Sequence, residues 1–257
     1  MKHPYIHVDH SGGRLMPVLN IAMVGSDDLA REIAKPTDQR DVHTYVHKES
    51  DADGPRILSI IRPAKYPERL RPFLNALSAA RVGIIEIERI DATLGEALVA
   101  FASSNLTKGM AIINAPDGEW VDEDQAKMLF KQAGLGEWTF AKGDGIELRT
   151  ILYGFMDSIA DELKANAEAP LVIPVDQHFN VKGIGLVAIG YVQSGTVNVH
   201  DELVLLPANG TGNAKSLQVM DDDVPAARAG DRVGLALSGD VGGTAVHRLV
   251  HRLGSTV

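Results

Sequence analysis

The sequence predicts two units in series, an α/β unit with a mostly parallel sheet and then an antiparallel β-barrel of the six-stranded type. Three observations lead there. Short β-branched apolar runs alternate with helical spacing from residue 17 to about residue 163. From Pro170 to about Leu237 apolar residues recur instead at every second position. Gly183, Gly185, Gly190 and Gly195 interrupt that second pattern where strands must bend or turn.

In the α/β unit, residues 18–24 (VLNIAMV) read as a strand buried on both faces, and Ser26 to Asp28 read as an Asp-rich helix start. Further strands are predicted at 56–61 (RILSII), 82–87 (VGIIEI), 109–114 (GMAIIN) and 137–140. Between them Leu70, Phe73, Leu74 and Leu77 follow helical spacing after Pro67, a residue tolerated at a helix start. Leu94, Ala97, Leu98 and Phe101 repeat the spacing, and Asp122 caps a helix running through Leu129 and Phe130. Ile151, Phe155, Ile159 and Leu163 mark the last helical stripe. The stretch 164–170 (KANAEAP) has no apolar period and reads as a linker. The chain therefore divides into an extension (1–15), an α/β domain (16–165) and a barrel domain (170–257).

Within the barrel, Phe179, Val181, Val187, Ile189, Val197, Val199, Leu203 and Leu205 form the predicted alternating apolar set, with turns at 209–213 and 221–223. The tripeptide HRL occurs at 247–249 and 251–253, as chance or as one face of a helical turn.

A chain of 257 residues, 45% hydrophobic and 23% charged, suits two globular domains. No apolar run approaches the roughly 20 residues a membrane span needs, and no signal-peptide pattern opens the chain. A cytoplasmic location without membrane contact is expected. The absence of cysteine excludes disulfides, thiolate metal sites and cysteine nucleophiles. The net charge of −9 falls mostly before Pro170, and neither part is a basic footprint, so DNA is not an expected partner and any RNA contact must be local.

The run from Phe179 to Val199 carries F-x-V-x-G-x-G-x-V-x-x-G-x-V-x-x-G-x-V-x-V, which resembles the second domain of translational GTPases, the barrel of EF-Tu and SelB. Ser216-Leu217-Gln218 and residues 225–237 (PAARAGDRVGLAL) are similar to that family's S-I-Q and A-x-A-G-D-R-V-G-L-x-L strands, with Gly230 in the turn. His200 stands where a turn glycine is common, and Gly242-Gly243 replace the family's R-G. The resemblance implies that the preceding unit is a P-loop-NTPase-like G domain. It also implies tRNA or the ribosome as partner, with Lys182, Lys215 and Arg232 as candidate RNA contacts. Only about 20 residues follow the last predicted strand, so the family's third domain is not expected in this chain.

The G-domain motifs themselves are largely replaced. Where the family has G-x-x-x-x-G-K-[ST], this chain reads Gly25-Ser26-Asp27-Asp28-Leu29-Ala30-Arg31-Glu32. Only the first glycine matches, Arg31 replaces the lysine, Glu32 replaces the Mg²⁺ hydroxyl, and two carboxylates stand where phosphates would sit. Like charges about 4 Å apart repel by roughly 1 kcal/mol in water and by more in a drier site. Where the family has D-x-x-G-H, the chain has Arg62-Pro63-Ala64-Lys65-Tyr66, so the catalytic histidine is a tyrosine. The guanine-reading N-K-x-D survives as Asn114-Ala115-Pro116-Asp117, which also reads as an ordinary turn ending a strand. Residues 91–96 (DATLGE) match the family's Asp-rich loop and T-x-E helix start in position only.

An N-terminal run, His7-Val8-Asp9-His10-Ser11-Gly12-Gly13-Arg14, imitates the family's G-H-V-D-H-G-K without its lysine or its helix. His3, His7, Asp9 and His10 offer metal donors but no second shell, and no metal is expected. No nucleophile elbow or other catalytic set takes the place of what is lost. The expectation is a translation-factor relative without GTP hydrolysis, in which GTP and Mg²⁺ bind weakly or not at all. Gly25, Arg31, Asn114 and Asp117 are its remaining nucleotide-site candidates. The alternative is a GTP-binding elongation factor with weak or altered GTPase activity.

Overall fold

A computed structural model describes residues 18–39, 42–51, 54–207, 209–219, 222–240 and 246–251. The extension at 1–15 with its four metal-donor candidates, Gly242-Gly243 and the end of the second HRL lie outside these residues.

The first unit opens with β1 (Val18–Val24), whose residues are all buried or half-buried. It passes through Gly25 into α1 (Asp27–Ile33), capped by the Ser26 hydroxyl, which accepts from the Leu29 N–H. Next come β2 (Lys35–Gln39), β3 (Val42–Asp51) and β4 (Gly54–Pro63). They are followed by α2 (Leu70–Ala79), β5 (Val82–Ile87), α3 (Ala92–Ser103), β6 (Gly109–Ile113) and α4 (Glu123–Gln132). β7 (Thr139–Ala141), α5 (Gly145–Ser158) and α6 (Ala160–Glu168) complete it. The sheet order is β2-β3-β4-β1-β5-β6-β7, with β4, β1, β5, β6 and β7 parallel and β2 and β3 antiparallel. One face packs on α2, α3 and α4 around Phe73, Phe101 and Phe130; the other packs on α1 and α5 around Ile33, Leu148 and Leu152.

Several expectations change. The sequence pattern does not predict β2 or β3, because VHTYVHKESD mixes histidines and charges into its β-branched alternation; ten register pairs with β4 hold β3 in place. In α2, Phe73 and Leu77 are buried as predicted, but Leu70 and Leu74 are exposed, and Pro72 is the proline within the first turn. In α5 the core residues are Leu148, Leu152, Tyr153 and Met156, with Ile151 and Phe155 only partly covered, while Ile159 just after it is buried as predicted. The stretch read as a linker is helical to Glu168.

The second unit comprises β8 (Val172–Val181), β9 (Gly185–Tyr191), β10 (Thr196–Asn198), β11 (Glu202–Pro207) and β12 (Gly210–Val219). It continues with β13 (Asp222–Val224), β14 (Ala226–Arg228), β15 (Arg232–Asp240) and β16 (Val246–His251). The ring β11-β16-β8-β9-β15-β12 closes where β11 pairs with β12, giving a six-stranded antiparallel barrel. Closure removes the open sheet edges that invite association. The first HRL therefore belongs to a strand between β11 and β8, not to a helical turn.

Val197, Leu203 and Leu205 face the barrel core, but the phase of β9 is reversed: Leu186 and Ala188 are buried while Val187 and Ile189 lie on the outer face. A bulge between Val175 and Gln177 shifts β8, so Ile173 and Val175 point inward and Phe179 stands 45% exposed. Around the 209–213 turn, Gly210 to Asn213 already belong to β12. The two units meet along a polar seam, where the Asn20 side chain donates to the Gly230 carbonyl at 3.0 Å and Arg81 Nη2 donates to the Gln193 carbonyl at 2.7 Å. Gly230 is needed for its turn (φ +101°) and because a Cβ there would stand 3.0 Å from Val18 Cβ.

Candidate functional site

The loop from β1 to α1 stands at the position of the phosphate loop that the resemblance implies, and its Ser26 N–H is taken up within the chain. Glu86, from the middle of the apolar run of β5, is only 7% exposed and reaches the loop with its carboxylate. Its Oε2 accepts the Ser26 N–H at 2.5 Å, and its Oε1 accepts Asn114 Nδ2 at 2.7 Å. A Cβ on Gly25 would lie 2.9 Å from both Glu86 Cβ and Glu86 Oε2, so glycine at this position leaves room for that side chain. On the other side of the loop, Arg62 Nε donates to the Gly25 carbonyl at 2.6 Å.

Asp27 is engaged in the same way. The Tyr45 hydroxyl donates to its Oδ1 and Arg31 Nε to its Oδ2, and His43 Nδ1 lies 3.8 Å from Oδ1. The Tyr45 bond first and the Arg31 bond second hold the Asp27 carboxyl below the usual aspartate range. Burial, with Asp27 beside it, pushes the Tyr45 hydroxyl up to about 12. Glu32, at the position of the Mg²⁺ hydroxyl, turns away to accept the Gly145 N–H at 3.0 Å at the start of α5. Tyr66, at the position of the catalytic histidine, packs its ring 4.5 Å from Phe73 and donates to the Thr93 carbonyl at 3.4 Å.

This donor set does not fit a nucleotide with Mg²⁺. The loop N–H faces a carboxylate, two further acids follow it, and α1 has only seven residues. Of the four nucleotide-site candidates, Gly25 and Asn114 are brought together through Glu86. Arg31 is committed to Asp27, and Asp117 is exposed in the turn that follows β6. Glu86 and Tyr45 are the residues that sequence reasoning misses. A single acid in a six-residue buried strand is itself a signal, because a buried charge requires partners. Tyr45 offers none, since its strand is not recognised.

The three candidate RNA contacts do not form one cluster. Lys182 is exposed in the turn between β8 and β9, and Lys215 is exposed at the β12 bulge between Ala214 and Ser216. Both lie at the same end of the barrel, where Leu237 of β15 pairs with Leu186 on one side and Ala214 on the other. Phe179 and Ile184, each nearly half exposed, share that end. Arg232 is opposite Tyr191, five residues earlier on β15 and about 17 Å away along the strand. There it pairs with Asp176 at 3.2 Å and lies 5.4 Å over the Tyr191 ring. Among the described residues no group of three His, Asp or Glu side chains could hold a metal ion, and no helix is long and apolar enough to cross a membrane.

A family profile described as Elongation factor Tu domain 2 matches residues 185–244. An uncharacterized protein of Methanocaldococcus jannaschii is 28% identical over 225 residues, covering 87% of this chain and 68% of that protein. The selenocysteine-specific elongation factor of the same organism is 42% identical over 98 residues, 38% of this chain and 20% of its own length. Among solved structures, a bacterial selenocysteine-specific elongation factor, EF-Sec, has a TM-score of 0.69 at 20% identity, covering 92% of this chain and 45% of that one. SelB of Methanococcus maripaludis in complex with a GTP analogue gives 0.67 at 20% identity, covering 93% and 55%. The chain thus spans about half the length of these solved structures and a fifth of the archaeal selenocysteine-specific factor. An EF-Tu domain 2 profile thus matches most of the barrel, and the α/β unit with the closed barrel that follows it is similar in fold to the EF-Tu/SelB-like translational GTPases.

Proposed function

We propose that this elongation-factor-like protein works in the cytoplasm by binding tRNA or the ribosome through its barrel, without hydrolysing GTP. The observation that carries the RNA half is the end of the barrel where Lys182 and Lys215 stand beside exposed Phe179 and Ile184. Lysines neutralise backbone phosphates, and an exposed aromatic ring offers a stacking surface for an unpaired base. The observation that carries the other half is the β1–α1 loop, whose N–H is held by Glu86. Arg232, already paired with Asp176, contributes to barrel structure more than to an RNA surface.

Filter binding of aminoacyl-tRNA and ribosome pelleting across a salt series test the RNA half. Each of Lys182→Ala and Lys215→Ala is expected to weaken binding and to lower the salt slope by about 1, with stability changed by less than about 0.5 kcal/mol. The absence of saturable binding in both assays defeats the reading. The GTP-binding alternative rests on Asn114 and Asp117 at the end of β6. Calorimetry with GTP, GDP and ATP plus Mg²⁺ decides between them: no heat at high micromolar nucleotide is expected, and a saturable isotherm makes the alternative the better account.

A further inference from the structure

We infer that Glu86 is a resident counter-ion, a carboxylate built into the chain that takes the place of a nucleotide phosphate at the β1–α1 loop and so excludes nucleotides from it. Two of the three residues that keep their identity in the nucleotide motifs converge on this side chain. Gly25 leaves the space that Glu86 fills, and Asn114 donates to Glu86 Oε1. The Ser26 N–H, the kind of backbone donor with which a phosphate loop holds its ligand, donates to Glu86 Oε2. Each carboxylate oxygen thus accepts one strong donor, which is what a charge at 7% exposure requires. Arg62 fixes the loop from its carbonyl side through Gly25. Loop, β5 and β6 are therefore tied together by an internal anion, and the organisation that a bound nucleotide gives this fold is permanent in this chain.

An external anion would have to displace Glu86 and approach Asp27 and Asp28, which follow directly in the sequence. Glu86 is the specificity-determining residue of the loop in this account, acting by occupation. The inference rests on the non-hydrolysing half of the proposed function and is independent of the RNA half.

Chemical rescue in the full-length chain tests it. Glu86→Ala is expected to lower Tm by about 4–10 °C, and sodium formate or inorganic phosphate should recover part of that loss saturably, relative to chloride at equal ionic strength. Neither anion should shift the wild-type Tm beyond the chloride control. Glu86→Gln keeps the shape but presents an amide N–H to one of two donors, so it should also lose stability and show faster amide exchange at Ser26. Equal stability of Glu86→Gln and wild type overturns the inference, as does a destabilised Glu86→Ala that no anion rescues. Should Glu86→Ala fail to fold, Glu86→Gln with the Ser26 exchange rate decides alone. Wild-type binding of GTP with Mg²⁺ at this loop also overturns the inference, whereas the non-hydrolysing reading on which it rests fails only if the wild type turns GTP over to GDP and phosphate, so the two failures are told apart.

Discussion

Asp27 stands where a phosphate would have to approach, yet the chain has made it a fixed part of the structure through Tyr45 and Arg31. Its folded carboxyl titrates below the ordinary aspartate value of 3.8, and Tyr45 is the largest cause. For a depressed acid the sign is definite. The stabilisation is fully present above the unfolded pKa and is lost as pH falls through the lower folded value. The groups that face this carboxylate are Tyr45 and His43 on β3, Arg31 on α1 and Arg62 on β4. Carbon-detected NMR titration of Asp27 is expected to give a midpoint below 3.8 in the wild type and one shifted upward in Tyr45→Phe; an unmoved midpoint removes Tyr45 from this role. His200 is a second residue with a local cost. It adopts φ +79°, the left-handed region, at the position where the family commonly has glycine.

At the level of elements, the barrel is best tested through its strand phase. Leu186→Ala removes a core side chain of β9 and should cost about 2–5 kcal/mol, whereas Val187→Thr on the outer face should cost less than about 1 kcal/mol. Urea unfolding of the two variants checks this, and the reverse order would restore the phase predicted from sequence. That phase is misread for a definite reason. β9 is apolar on both faces, as Leu186-Val187-Ala188-Ile189 shows, so alternation by residue type identifies a strand without saying which face is inside. The β8 bulge then inverts the side on which Phe179 falls, and bulges leave no sure mark in sequence. The parallel strands and most helices were legible because long apolar runs, the Asp-rich start at 26–28 and the Asp122 cap are local signals. Tyr45 and the role of Gly25 were not legible, because both depend on side chains that meet only after the sheet is assembled.

The whole molecule is two units joined by a seam of part-buried polar contacts. Arg81→Met leaves the Gln193 carbonyl without its charged donor and should cost about 1.5–3 kcal/mol. Amide exchange should rise at Val192 and Gly230, whose backbones bond across the neighbouring turn, while the centre of the barrel stays protected; unchanged exchange there denies the seam its role. On the proposed reading, the loop after β1 filled by Glu86 and the exposed lysine-bearing end of the barrel belong to a molecule that presents a surface continuously and does not switch on nucleotide. The most direct measurement is filter binding of aminoacyl-tRNA to the nucleotide-free protein, with and without GTP and Mg²⁺. The expected result is saturable, salt-sensitive binding that GTP leaves unchanged. Binding that appears only with GTP, or none under either condition, contradicts the account.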